Sequence, residues 1–201
     1  MRWDFPVDAC ERPMSWGVQP WSALMNGLIL WNLMNKRSLC KPHVRHLLDG
    51  MVLFEGLHLG AHLYNLHTRG IAILVHYVLL FTVLSLYRVL RTRYHPALAV
   101  HVALDAFVVL TGESLAMIVS GLSLGGHVLY RLNLPQPPRT LILSTLAVVA
   151  LITNEALLCE RMMAAVPAPY HVLVEGAGYV AFNALSNVVL MLPVGDASTH
   201  H

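Results

Sequence analysis

An all-α, polytopic transmembrane helical bundle of about six spans is the fold class this sequence predicts, on three observations. First, 56% of the 201 residues are hydrophobic, only 12% are charged and the mean hydropathy is +0.59; soluble domains carry about twice that charged fraction. Second, the chain holds several windows of about 20 mostly apolar residues, the length a helix needs to cross a hydrocarbon core of about 30 Å. Third, these runs are continuous and rich in Leu and Ala, without the period of two that a membrane barrel requires.

The expected spans are 17–34, 44–64, 71–91, 97–121, 140–158 and 170–192, between an N-terminal tail (1–16) and a C-terminal tail (193–201). Residues 35–42 (NKRSLCKP) separate the first two spans, and Pro42 suits a helix start. The next break, around HTRG, ends on Gly70. Three arginines precede Pro96 after the third span, and a residue before proline disfavours helix. Gly125-Gly126 and Pro135, Pro137 and Pro138 mark the longest loop, and prolines 167 and 169 close the fifth span. Gly56 and Gly60 form a small-x-x-x-small pair, an expected packing edge for another helix.

Charge sets orientation. Lys36, Arg37, Lys41, Arg45, Arg88, Arg91, Arg93 and Arg161 follow the odd-numbered spans, whereas Arg2, Arg12, Arg69, Arg131 and Arg139 fall on the other side. The positive-inside bias then puts both termini on the non-cytoplasmic side of an integral membrane protein. A net charge of +2 offers no basic stripe for phosphates, so nucleic acid is not an expected partner, and the lipid bilayer is. The tail before Trp16 lacks the basic and apolar regions of a cleaved signal peptide, so the first span is expected to direct its own insertion. Cys10, Cys40 and Cys159 are odd in number and lack paired spacing, which implies no disulfide framework.

Ionisable residues inside apolar spans are costly, face the interior and mark function. At 100° per residue, Glu55, His58 and His62 lie within about 60° on one face of the second helix. If each span is centred in the bilayer, Glu55 lies near the midplane, with His58 about 6 Å and His62 about 12 Å towards the non-cytoplasmic side. His76, Glu113 and Asn187 fall about 6–8 Å on the same side, which gives one polar layer from four helices. A second layer on the cytoplasmic half would contain Asp49, His101, Asp105, Asn154, Glu155, His171 and Glu175, with His101 and Asp105 one turn apart.

Several chemistries suit the upper layer. Neutral imidazole and carboxylate are zinc ligands, so His58, His62 and His76 are candidate metal ligands, with Glu55 and Glu113 as candidate catalytic bases. The same groups would serve a proton relay or a cation path through a transporter or channel-like protein. A haem between His62 and His76 has least support. A hydrogen-bonded network that only fixes helix packing, as in a non-catalytic assembly subunit, is the remaining alternative.

The string Glu55-x-x-His58-x-x-Ala61-His62 resembles the first signature of the CREST superfamily of membrane hydrolases, which includes the alkaline ceramidases and the progestin and adipoQ receptors. That resemblance implies seven helices and a zinc ion on three histidines, with a nearby serine and aspartate, cleaving an amide or ester of a lipid substrate. His58 stands where the family has Asn, and Ala61 where it has a hydroxyl residue. Ala72-x-x-x-His76 and Ala97-x-x-x-His101 are the nearest counterparts of its Ser-x-x-x-His step, and its closing His-x-x-x-His has none.

Overall fold

The computed structural model describes residues 10–11, 19–64, 69–90, 96–111, 123, 126–127, 130 and 138–192. Among these the secondary structure is wholly helical: α1 (Pro20–Leu39), a 3-10 turn (Pro42–Val44), α2 (Arg45–Tyr64), α3 (Arg69–Leu90), α4 (Ala97–Thr111), α5 (Arg139–Ala165) and α6 (His171–Met191). Prolines set several starts. Pro20 and Pro42 occupy first helical positions, where a missing N–H costs nothing, and Pro138 is the N-cap of α5.

The first helix outruns its expected end at residue 34 because its charges find partners on neighbouring helices. Lys36 Nζ donates to Asn183 O at 3.0 Å, Asn183 Oδ1 at 2.6 Å and Ser186 Oγ at 2.8 Å, and Arg37 pairs with Asp49 of α2. The helix stops one turn later, where Cys40 is already extended and its N–H bonds Arg37 O. The fifth helix likewise continues past residue 158 to Ala165, just ahead of the prolines at 167 and 169.

In the packing order, α1 contacts both α2 and α6, α3 packs on α2, α5 packs on α6, and α4 lies against α3. The apolar core sits at one end, where Ile29, Leu33, Leu48, Met51, Leu86 and Val188 cluster. There His43 of the 3-10 turn meets Leu192 O at 3.0 Å, just past the end of α6. Gln19, Ser22, Glu55, His62, His171 and Glu175 are buried towards the opposite end, where α1 and α6 begin and α2 finishes. The outer surface is apolar: Trp31 is 66% exposed, Leu110 74% and Met191 80%. Among the described residues one helix, His171–Met191, is long and apolar enough to cross a membrane by itself, and α5 becomes a second if its halves Arg139–Glu155 and Leu157–Ala165, bent by 73°, are taken together.

Three expectations are corrected. Spans that simply alternate would run α6 parallel to α2, yet α6 ends beside the start of α2 and begins beside its end. One further reversal lies between α4 and α5, because Ser123 and His127 are already back beside His101 and Tyr87: Ser123 Oγ is 3.0 Å from His101 Nδ1 and Tyr87 Oη is 2.5 Å from His127 Nε2. Next, Gly56 and Gly60 have no packing partner among the described residues, since a Cβ built on either meets nothing within 4 Å beyond its own helix. The close approach is at Gly50, where a Cβ would overlap Thr82 Oγ1 of α3. Finally, Cys10 and Cys159, 149 residues apart, form a disulfide, and Cys40 is free and buried. Sequence spacing misses a bridge between segments that only the tertiary fold brings together.

Candidate metal centre

Two i, i+4 pairs build the site. His58 and His62 lie on one face of α2, and His171 and Glu175 on one face of α6, because residues four apart share a helical face. The antiparallel arrangement of α2 and α6 lays these faces against each other. His58 Nε2 and His62 Nε2 are 3.3 Å apart, and each is 3.4 Å from Glu175 Oε1. His171 Nε2 is 2.8 Å from the same oxygen. One donor atom from each of the four residues lies within 4.8 Å of every other, so the cluster could hold a metal ion.

A donor-set test supports that fit. In a tetrahedron with bonds of about 2.0–2.1 Å, neighbouring donors stand about 3.3–3.4 Å apart. Three of the six donor–donor spacings have that value, the His171 to Glu175 contact is shorter, as in an ion pair, and all six are within 4.8 Å. Two Nε2 atoms 3.3 Å apart cannot both carry a proton towards each other, so at least one offers a lone pair. Glu175 Oε1 is buried and accepts no hydrogen bond of ordinary geometry among the described residues, although three imidazoles surround it.

The surroundings fix the rings from behind. His62 Nδ1–H donates to Gln19 Oε1 at 2.6 Å, which leaves its Nε2 to face the cluster. His171 Nδ1–H points at both oxygens of Glu155, at 2.9 and 2.8 Å. His58 Nδ1 is 3.9 Å from Glu55 Oε2. Thus all three rings turn Nε2 inward, and His62 and His171 bond Nδ1 to an oxygen, the arrangement that orients histidine ligands in metal sites, while Glu55 faces the Nδ1 of His58 from a longer distance. Helix ends contribute as well. Gln19 N–H donates to His62 O at 3.1 Å near the end of α2, and Cys10 O accepts from His171 N–H at 3.3 Å at the start of α6. Both contacts satisfy backbone groups that helix termini leave open.

The structure redistributes the expected site residues. His58 and His62 are brought together, but with Glu175 and His171, which the depth reckoning assigned to the opposite layer. Glu155 moves with them. The reason is the direction of α6: it starts at the site end, so residues near its beginning meet residues near the end of α2. Asn187, expected in the upper layer at the depth of His58, is instead exposed near the far end of α6. Glu55 stands on the Nδ1 side of His58, behind the ring, which suits orienting that ring better than acting as a base at the cluster. His101 belongs to a separate group, with its ring centroid 5.0 Å from that of His127. Glu113 and the side chains of His76 and Asp105 lie outside what is described.

Sequence reasoning missed Gln19 and placed no ligand at His171. The signal for His171 was present, since His171-x-x-x-Glu175 repeats the one-turn spacing of His58-x-x-x-His62. No family model, curated protein or solved structure matches the chain.

Proposed function

We propose that this chain is an integral membrane protein that holds zinc at His58, His62, His171 and Glu175 and uses it to hydrolyse an amide or ester of a lipid. The observation that carries the metal reading is the convergence of three imidazoles and one carboxylate with all four donor atoms within 4.8 Å of one another, backed by an oxygen hydrogen-bonded behind His62 and His171. Zinc in such a site supplies a Lewis acid and makes water a nucleophile near neutral pH. Glu175 then has two tasks. Its carboxylate would complete the donor set, and, as the carboxylate nearest the three Nε2 atoms, it would be placed to hold a proton there. Glu155, Gln19 and Glu55 keep the rings aimed inward.

The hydrolase reading draws on the likeness of Glu55-x-x-His58-x-x-Ala61-His62 to the first signature of the CREST superfamily and on the apolar exterior, which suits a lipid substrate. His58 is the most exposed of the four, with 14% of its side chain accessible, so a substrate would approach from its side. Orientation follows from two features. Disulfides persist in oxidising compartments, so the end carrying Cys10 and Cys159 faces away from the cytoplasm. Lys36, Arg37, Lys41, Arg45, Arg88 and Arg139 gather at the opposite end, as the positive-inside rule requires. Arg139 and Arg161 thereby exchange the sides expected from a simple alternation.

One observation favours a second reading, a metal-storing or metal-transporting protein: four protein donors already close the coordination, whereas catalytic zinc keeps a position open. Elemental analysis of purified protein tests the shared premise, with one zinc per chain expected in wild type and loss in His62→Ala and His171→Ala. Lipid amide and ester hydrolysis in mixed micelles then separates the readings. Turnover lost in His171→Ala supports the enzyme; stoichiometric zinc without turnover, together with zinc flux into proteoliposomes, supports transport.

A further inference from the structure

We infer that the Cys10–Cys159 disulfide sets the affinity of the metal centre, with Glu155 as the positioning residue that connects the two; the inference rests on the metal reading above. The connection is a closed ring of contacts. Cys159 follows Glu155 by four residues, just across the bend of α5, and the bridge from Cys159 holds Cys10 where its N–H meets the Glu155 carboxylate. Cys10 N–H donates to Glu155 Oε1, Glu155 accepts from His171 Nδ1–H, and His171 N–H returns to Cys10 O. One covalent link thus holds both the side chain and the backbone of a metal ligand.

The strap has a second anchor. Glu11, next in sequence, accepts from Trp21 N–H at 2.7 Å and Ser22 N–H at 2.9 Å at the start of α1. Cys10 is 1% exposed, while Cys159 is only half-buried, so a reductant reaches the bridge from the α5 side. A dithiol opens it by ordinary exchange. Its thiolate attacks one sulfur to give a mixed disulfide, and its second thiolate displaces the protein sulfur. Two electrons and two protons pass to Cys10 and Cys159, and the dithiol leaves as its own disulfide. Once the bridge is open, the Cys10 N–H is no longer held on Glu155, and the carboxylate can leave His171 Nδ1. Losing such an outer partner costs about 10–100-fold in metal affinity. By linkage, zinc must protect the bridge from reduction by the same factor, about 30 mV for each tenfold.

The test uses the full chain in detergent with Cys40→Ser, so that only the pair responds. Zinc affinity is measured by chelator competition, and site geometry by the visible absorption of bound cobalt. Oxidised protein is compared with protein reduced by a phosphine and alkylated, and with the Cys10→Ala/Cys159→Ala variant. Reduction is expected to weaken zinc binding about 10–100-fold and to alter the cobalt spectrum. Glu155→Gln should weaken binding to a similar extent and make it insensitive to reduction. Titrating the bridge against glutathione with and without zinc needs no variant and should show the reciprocal protection. Equal affinity in the oxidised and reduced forms, or an unchanged bridge potential with zinc, overturns the coupling while leaving the metal site standing. Absence of zinc binding in oxidised wild type overturns the metal reading itself.

Discussion

Glu175→Gln is the sharpest single perturbation of the centre, because it keeps the side chain's size and removes only the charge that three imidazoles face. Structural zinc binds with roughly 10–16 kcal/mol near pH 7, so one donor of four accounts for about 3–4 kcal/mol, or about 10²–10³-fold in affinity. The four-donor count comes from the geometry: Glu175 Oε1 is 3.4 Å from His58 Nε2, 3.4 Å from His62 Nε2 and 2.8 Å from His171 Nε2. An amide oxygen retains weak ligation, which places the expected loss near the lower end, about a hundredfold. Glu55→Gln provides the contrast. Its carboxylate is 3.9 Å from His58 Nδ1, behind the ring, so its removal should cost no more than about tenfold. Competition with a chromophoric chelator in detergent measures both. If Glu55→Gln costs as much as Glu175→Gln, or if neither changes zinc affinity, the assignment of Glu175 as the fourth donor is wrong.

Four further outcomes follow from the same structure. Gly50→Ala should destabilise the fold by about 1–3 kcal/mol, because its Cβ overlaps Thr82 Oγ1, with Thr82→Ala in the same chain restoring part of the loss. Gly56→Ala and Gly60→Ala, which meet nothing among the described residues, should leave thermal unfolding unchanged or raise its midpoint. Glu11→Ala should cost about 1–3 kcal/mol and speed hydrogen exchange at the Trp21 and Ser22 amides, since its carboxylate satisfies both at the start of α1. A glycosylation acceptor placed between Val166 and Tyr170 should be modified in microsomes, and one placed after Leu39 should not; the reverse pattern would invert the proposed orientation.

Hydropathy and breaker residues were enough to predict a helical chain and to locate most of its helices. Long apolar runs leave little other choice, and proline or charge marks where they stop. The helical period also put Glu55, His58 and His62 on one face, since local geometry alone settles which residues of a helix align. Lys36 shows where such reading ends. As a charge it marked a boundary, yet the helix runs through it because Asn183 and Ser186, some 150 residues away, accept its hydrogen bonds. Cys10 and Cys159 looked unrelated for the same reason.

The stripe on α2 was therefore legible from its own sequence, but its partners were not. Whether His171 and Glu175 meet His58 or lie at the other end of the bundle depends on how many times the chain reverses before α6, and one additional reversal exchanges the ends. Periodicity assigns each residue a face, whereas direction, depth and partner belong to the path of the whole chain. That path alone turned two separate polar layers into one His/Glu cluster.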